Sequence, residues 1–425
     1  MRLIPCPDGA IKRILPGAGR SETGLVDPYI TEWLNLLVRW LHVVAGIAWI
    51  GASFYFIALD LSLRPPREPR DAARGVAGES WEIHGGGFYR VEKFAVAPEE
   101  LPERLAWLKW EAYTTWISGF VLLVVLYYLN PTGYLIDRSV ADLSPLVAIA
   151  ISLAILGLGW LAYDGLCRVL EGRDAWLTIA LAATVALVAF GASQLFSARA
   201  VYIQVGAMLG TWMVGNVFFV IIPGHWALIR AKEAGNEPDP RHGLRGKQRS
   251  VHNNYLTLPV LFAMLSIHFP MTYGHELGWL ILLAIMAISA WTRHFFNLRH
   301  RGRTVWAIPA SAAAAMALLF VLMAPSSSAA PTPSASEEPV AFEQVQAIVE
   351  ARCQTCHSER PTFEGLTAPP LGVAFDTAEQ IVAAAGRIEQ MAVTTEAMPL
   401  GNVTDMTQDE RETLGAWIRQ GASAD

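Results

Sequence analysis

Long apolar runs recur through the first 323 residues, and they restrict what the chain can fold into more than any other feature. A stretch of about 18 or more apolar residues is long enough to cross a bilayer as a helix. Eight such runs lie near 32–60, 113–130, 145–164, 175–196, 201–223, 255–270, 277–293 and 304–323, the sixth and seventh being short. In lipid every backbone N–H and C=O must be paired within its own segment, so the runs predict helices. The expected fold is all-α: a polytopic membrane helix bundle of eight spans over 29–323, followed by a small soluble domain over 340–425. Chain averages of 53% hydrophobic and 16% charged residues hide that division. Between the two parts, residues 324–339 form a Pro/Ser/Ala tract that cannot build a core and reads as a linker. Residues 1–28 are rich in Pro, Gly and charge, without the apolar core of a signal peptide. They read as a disordered extension, or as the product of a start codon placed too far upstream.

Charge fixes the orientation. If both termini lie outside, the loops near 61–112, 165–174, 224–254 and 294–303 are cytoplasmic. Those loops hold Arg64, Arg67, Arg70, Arg90, Lys93, Arg168, Arg173, Arg230, Arg241, Arg299 and Arg301 among others, whereas the opposite loops hold only Arg138 and Arg199. This is the positive-inside asymmetry of a bacterial inner membrane protein with a periplasmic N-terminus and C-terminal domain. Arg2, Lys12, Arg13 and Arg20 dissent. Basic residues belong in cytoplasmic loops on this account, so Arg245, Lys247 and Arg249 receive no chemical role. The formal net charge of −6 identifies no partner, and nothing points to nucleic acid.

The soluble tail carries Cys353-Gln-Thr-Cys356-His357, a C-x-x-C-H run. Two thiols at i and i+3 can add to the vinyl groups of a haem, and the adjacent histidine then becomes an axial ligand. The tail therefore reads as a small class I-like cytochrome c domain holding a covalent haem c through Cys353, Cys356 and His357. Val345, Ile348 and Val349 precede the run at helical spacing, and Leu414, Trp417 and Ile418 mark a closing helix. Met398, followed by Pro399, is the candidate sixth ligand, with Met391 and then Met406 as competitors. The alternative is half of a zinc site, for which the tail offers no second Cys pair. Cys6 and Cys167 read as free thiols. The linker would tether this domain at the outer surface and keep it concentrated near its electron donor.

Ionisable groups inside spans are costly and face the bundle interior. Asn35, Arg39, His42, Gly46, Trp49 and Ser53 share one stripe of the first run. Such a face suits a flat macrocycle, with His42 and, near the end of the sixth run, His268 as candidate ligands of a second, b-type haem. The alternative is a histidine bonded to a neighbouring helix. A second group gathers at the cytoplasmic ends: His225, His252, Asn253, Arg293 and His294, with His84 and Arg90 in the first loop. Imidazole, guanidinium and amide groups together suit a flat, anionic, hydrogen-bonding substrate. The glycines after His84 would let backbone N–H groups approach it.

With these residues in view, the chain resembles the bacterial membrane-bound urate oxidases that carry a C-terminal cytochrome c domain. The likeness rests on Trp40-Leu-His42-Val-Val-Ala-Gly46-Ile-Ala-Trp49, on His84-Gly-Gly-Gly87-Phe-Tyr89, on His252-Asn-Asn-Tyr255 with Pro259, and on the C-x-x-C-H run with Met398-Pro399. It extends from about Tyr29 onward. The resemblance implies oxidation of urate with water to 5-hydroxyisourate in purine breakdown. Electrons would pass to the cytochrome, and from it to a soluble or membrane cytochrome or a terminal oxidase, without hydrogen peroxide. A histidine would act as general base, and Arg90 or Arg293 would neutralise the urate anion. Two other readings stand beside it: a quinol-to-cytochrome c electron-transfer protein without purine chemistry, and a transport or metal-handling protein with a fused redox sensor.

Overall fold

The computed structural model describes residues 28–324, 339–363, 366 and 368–424, so the N-terminal extension and the interior of the linker lie outside the described residues. The described chain is mostly helical. Eight long helices follow the order of the apolar runs: α1 (Pro28–Ser62), α2 (Trp110–Leu123), α3 (Pro145–Val169) and α4 (Asp174–Ser193). Next comes α5, which runs over Ala198–Gly215, then through a π-helical turn at Asn216–Ile221 and on through Ile222–Glu233. After it come α6 (Pro240–Leu265), α7 (Gly278–His300) and α8 (Ala307–Leu322). Pro223 stands just past the π turn of α5 and brings no N–H for the turn before it, which accounts for the wider backbone there.

Six of these helices, α1 to α5 and α7, are long and apolar enough to cross a membrane. The sequence led us to expect eight. Helix α8 has only 16 residues. Helix α6 starts at Pro240, not near 255, and its first half carries Arg241, Arg245, Lys247 and Arg249. The reason is positional: α6 packs against α1, α5 and α7 together, so Arg249, Asn253 and Asn254 are buried against protein, while Arg241, Arg245 and Lys247 lie exposed near its start. An outer helix looks different. On α1, Leu36, Trp40, Val43 and Ile47 form an exposed 4-3-4 stripe fit to face lipid, while Ala45 is buried. The largest core lies among α3, α5 and α6, where Tyr163, Trp212, Met208 and Ala263 are buried. Gly215 makes that packing possible, because a Cβ there would stand 2.5 Å from the Trp160 ring.

One element had no counterpart in the sequence reading. Strands β1 (Val76–His84) and β2 (Gly87–Phe94) pair as an antiparallel hairpin. Gly85 and Gly86 have φ of +57° and +82°, the left-handed pair that a two-residue hairpin turn requires. These glycines therefore serve the turn, correcting the expectation that they free backbone N–H groups for a ligand. One face of the hairpin lies along α1: the Tyr55 hydroxyl donates to Glu82 Oε2 at 2.6 Å, and Lys93 pairs with Asp60. Asp60 also takes Lys247 of α6 at 2.9 Å, which ties the hairpin to the bundle.

The C-terminal domain packs α9 (Phe342–Arg352) against α10 (Gln408–Arg419), with Val345, Val349, Ile381, Leu414 and Trp417 buried between them and the intervening turns. Thr407 and Glu410 close the start of α10 as a reciprocal capping box. Its loop 395–402 sits on the membrane-helix body: Gly401 closes on the carbonyls of Thr132 and Ile136, and Thr395 closes on Gly274. The segment below is held in turn by Ser197 at the start of α5, whose hydroxyl donates to the Tyr134 carbonyl at 2.8 Å.

Candidate functional site

Four consecutive residues of α6 reach three different helices. His252 Nδ1 pairs with the Tyr163 hydroxyl of α3 at 2.8 Å. Asn253 Oδ1 accepts from Asn216 Nδ2 of α5 at 2.8 Å. Asn254 Oδ1 accepts from both Arg293 Nε (3.0 Å) and Asn297 Nδ2 (2.9 Å) of α7. The Tyr255 hydroxyl pairs with His294 Nδ1 at 2.6 Å. Turning about 100° per residue, a helix can do this only when surrounded on most sides, as α6 is. Buried polar groups need such partners, and here they bind the centre of the bundle together.

Around His252 the network continues. Asn216 also donates to the Tyr163 hydroxyl, at 2.8 Å, and its own Oδ1 accepts from Arg249 NH1 at 3.2 Å. Arg249 is 5% exposed and pairs with Asp164 at 2.6 Å, with its guanidinium over the Tyr163 ring. A residue set aside as a topological charge is thus a buried structural one. Asn216 owes its inward aim to the π turn that it opens, a setting in which such turns often serve function. Tyr163, Asp164 and Asn216 were not among the expected residues; the ionisable Asp164 within an apolar run was the signal available.

The other predicted residues do not all join this group. His225 is exposed and sits edge-on to Trp107, which stacks on Trp226 at 4.8 Å. His84 is exposed at the end of β1. Arg90 of β2 is already surrounded by carboxylates: it pairs with Asp71, with Glu79 at 2.6 Å and with Glu92 at 3.2 Å. Its charge is spent on holding the hairpin, not left for a substrate anion. The Arg90 hydrogen bond, with further help from Arg74 and Arg70, keeps the buried Asp71 carboxyl below its ordinary range. The stability it contributes is therefore complete at neutral pH and is lost only as pH falls below the usual aspartate value of about 4. Hydrogen exchange across 76–94 should accordingly stay flat from pH 8 to 5 after correction for intrinsic rates. It should rise below that, and an Asp71→Asn variant should exchange fast throughout.

In the first-run stripe, Arg39 donates back to Asn35 Oδ1 at 3.0 Å. His42 packs on α2, its Nδ1 within hydrogen-bond reach of the Thr115 carbonyl (2.9 Å) and the Ser118 hydroxyl (3.1 Å). A Cβ on Gly119 would lie 2.9 Å from the His42 ring. His268 is exposed on the 3₁₀ turn Ser266–His268, and no ring contact or hydrogen bond joins it to His42.

In the C-terminal domain the C-x-x-C-H run follows α9 directly. His357 Nδ1 lies 2.9 Å from the Val373 carbonyl, and its ring is 5.1 Å from that of Phe375. Burial pushes the Cys353 thiol up to about 12 and raises that of Cys356 as well. Both thiols are free, as is Cys167. Met398 is half-buried in the docked loop; its carbonyl accepts from the buried Arg411 at 2.8 Å, and its N–H donates to Met391. Met406 is buried in the domain core. Among the described residues no group of three or more His, Cys, Asp or Glu comes together as a metal cluster.

These elements define a helical protein with six membrane-length helices, a buried polar hub at one end and a small cysteine-bearing domain seated at the other. Over residues 28–324 the chain matches the urate oxidase N-terminal family, and it belongs to that family. Comparisons with curated proteins and with solved structures return no match.

Proposed function

We propose that the protein is a membrane-bound oxidoreductase that converts urate to 5-hydroxyisourate and delivers the electrons to a c-type haem on its C-terminal domain. The overall change removes two electrons and two protons from urate and water together, while the water oxygen adds to the purine ring. Family membership supports the substrate class. What supports the rest is that the polar hub and the docked C-terminal domain lie at opposite ends of one bundle. Arg293 lies fifteen residues along α7 from Gly278, which is about 22 Å at 1.5 Å per residue. The C-terminal domain docks beside that far end, at Gly274. In this reading α6 and α8 complete an eight-span bundle in a bacterial inner membrane, with the hub facing the cytoplasm and the C-terminal domain the periplasm. The asymmetry of Lys and Arg supports that orientation.

The C-terminal residues fit a c-type haem. Cys353 and Cys356 would form its thioether links, and His357 would ligate through Nε2, because Nδ1 is engaged by the Val373 carbonyl as is usual for a ligating histidine. Met398 would supply a second ligand. Bound there, the haem supplies a one-electron acceptor that passes charge to a further cytochrome or terminal oxidase. At the hub, His252 and His294 each have Nδ1 within hydrogen-bond distance of a tyrosine hydroxyl; with Nδ1–H donating to that oxygen, Nε2 keeps the lone pair that would take a proton from attacking water. A b-type haem at His42 is no part of this proposal: its Nδ1 meets the Thr115 carbonyl much as that of His357 meets Val373, but its expected partner His268 lies exposed on a separate turn.

Full-length protein in membranes provides the test. Urate added without oxygen should bring up the reduced-haem absorption band, and His357→Ala should abolish both the band and urate loss. Reduction by a quinol but not by urate would replace this reading with the quinol-to-cytochrome alternative.

A further inference from the structure

Three buried polar atoms that make no hydrogen bond converge where α6 meets α7: Arg293 NH2, Asn254 Nδ2 and Asn297 Oδ1. Their side chains all meet at one atom. Asn254 Oδ1 accepts from Arg293 Nε and from Asn297 Nδ2, so each unpartnered atom is two covalent bonds from an atom of that junction. The three residues are 5%, 0% and 6% exposed, too deep for bulk water to satisfy them. Native interiors rarely leave such atoms unpaired, and three together on one charged junction mark a place built for an absent partner. The guanidinium carbon also lies 3.8 Å from the centre of the Phe54 ring of α1, so one face is covered and the edge atom NH2 is the one left without a partner. The neighbouring Tyr55 carries the hairpin through Glu82.

We propose that this junction is where the substrate is recognised. The assignment rests on the urate reading above and gives that reading its binding residues. Two N–H donors, one of them cationic, stand beside one acceptor. Their complement is a planar anion whose edge presents a carbonyl or ring oxyanion next to an N–H. The carbonyl oxygen accepts from Arg293 NH2 and Asn254 Nδ2, and the adjacent N–H donates to Asn297 Oδ1. Oxidised purines and related cyclic ureides carry this edge. An inorganic anion without hydrogen, such as nitrate, does not, because it has nothing to donate to Asn297. His294 follows Arg293 in sequence, whereas His252 leaves α6 toward α3, so this placement favours His294 as the base.

Calorimetric titration of detergent-purified full-length protein with urate, kept anaerobic and pre-reduced so that no turnover occurs, reads the site directly. Wild type should bind, and Arg293→Gln and Asn297→Ala should each weaken binding at least tenfold, with nitrate failing to compete. If wild type binds while both variants, with unchanged melting, bind equally tightly, the junction is not the site and the urate reading survives. If wild type binds no urate, the urate reading itself falls. Should the variants melt early, hydrogen exchange on wild type decides. Urate must then protect 250–258 and 290–298, and protection confined to other segments overturns the assignment.

Discussion

Gly401→Ala should release the C-terminal domain from the membrane-helix body while leaving each part folded. Gly401 has φ of +59°, a left-handed conformation that costs an L-residue about 1–2 kcal/mol. The added Cβ would also stand 2.7 Å from the Ile136 carbonyl oxygen and 3.0 Å from that of Thr132. Those are backbone atoms held in place, since Ser197 grips the same segment through the Tyr134 and Leu135 carbonyls. The clash cannot relax by a rotamer change, so the loop must lift. The core around Val345, Leu414 and Trp417 lies apart from this contact and should remain intact. Hydrogen exchange should therefore accelerate at 131–137 and 395–402 together, with no change at 342–352 or 408–419. In the proposed function, urate-driven reduction of the C-terminal domain should slow at least tenfold, because the acceptor no longer dwells at the bundle. Exchange that stays protected in the variant would mean that the docking seen at Gly401 does not hold the domain.

The sequence revealed the bundle more readily than the hub. Apolar runs located all eight long helices, because segments facing lipid must read as apolar along their length. Helix α6 departs from that rule for the same reason that it matters. Surrounded by α1, α5 and α7, it can bury Asn253, Asn254 and Arg249 against partner side chains, and hydropathy then scores it as too polar to span. Asn297 went unnoticed because one asparagine near a basic helix end carries no periodic signal; only its contact with Asn254 gives it meaning. The hairpin was hidden in plain view. Val76–His84 and Gly87–Phe94 flank a glycine pair that suits a two-residue turn, yet the histidine beside the glycines drew a chemical interpretation. Arg90 was misjudged likewise, since its three carboxylate partners come from separate elements. The C-x-x-C-H run, by contrast, is local chemistry, and its position after α9 needed no tertiary information.

Asp164→Leu should be the most damaging single change in the membrane-helix body, costing about 3–5 kcal/mol, the range for removing one partner of a buried ion pair. Arg249 is the group left behind. It lies 5% exposed on α6 and retains only Asn216 Oδ1 at 3.2 Å and the face of Tyr163. A guanidinium cannot shed its proton to escape, so the charge stays buried and uncompensated. The converse change, Arg249→Met, should cost less. Asp164 is nearer the surface and keeps Arg168 at 2.7 Å, four residues along its own helix. Replacing both residues together should recover most of the loss, because two apolar side chains fill the space without a stranded charge. Thermal unfolding in detergent should thus rank Asp164→Leu lowest, Arg249→Met next and the double variant nearest wild type. Function separates the same variants differently. Arg249 orients Asn216, and Asn216 holds both Tyr163 and Asn253, so the double variant should stay folded yet lose the setting that fixes His252. With His294 as the base, urate turnover in the double variant should stay near wild type while binding at Arg293 and Asn297 is preserved, and a several-fold fall in turnover alone would return the base role to His252. A double variant less stable than Asp164→Leu would show that the pair contributes a net attraction no apolar filling replaces, and this account of the hub would be wrong.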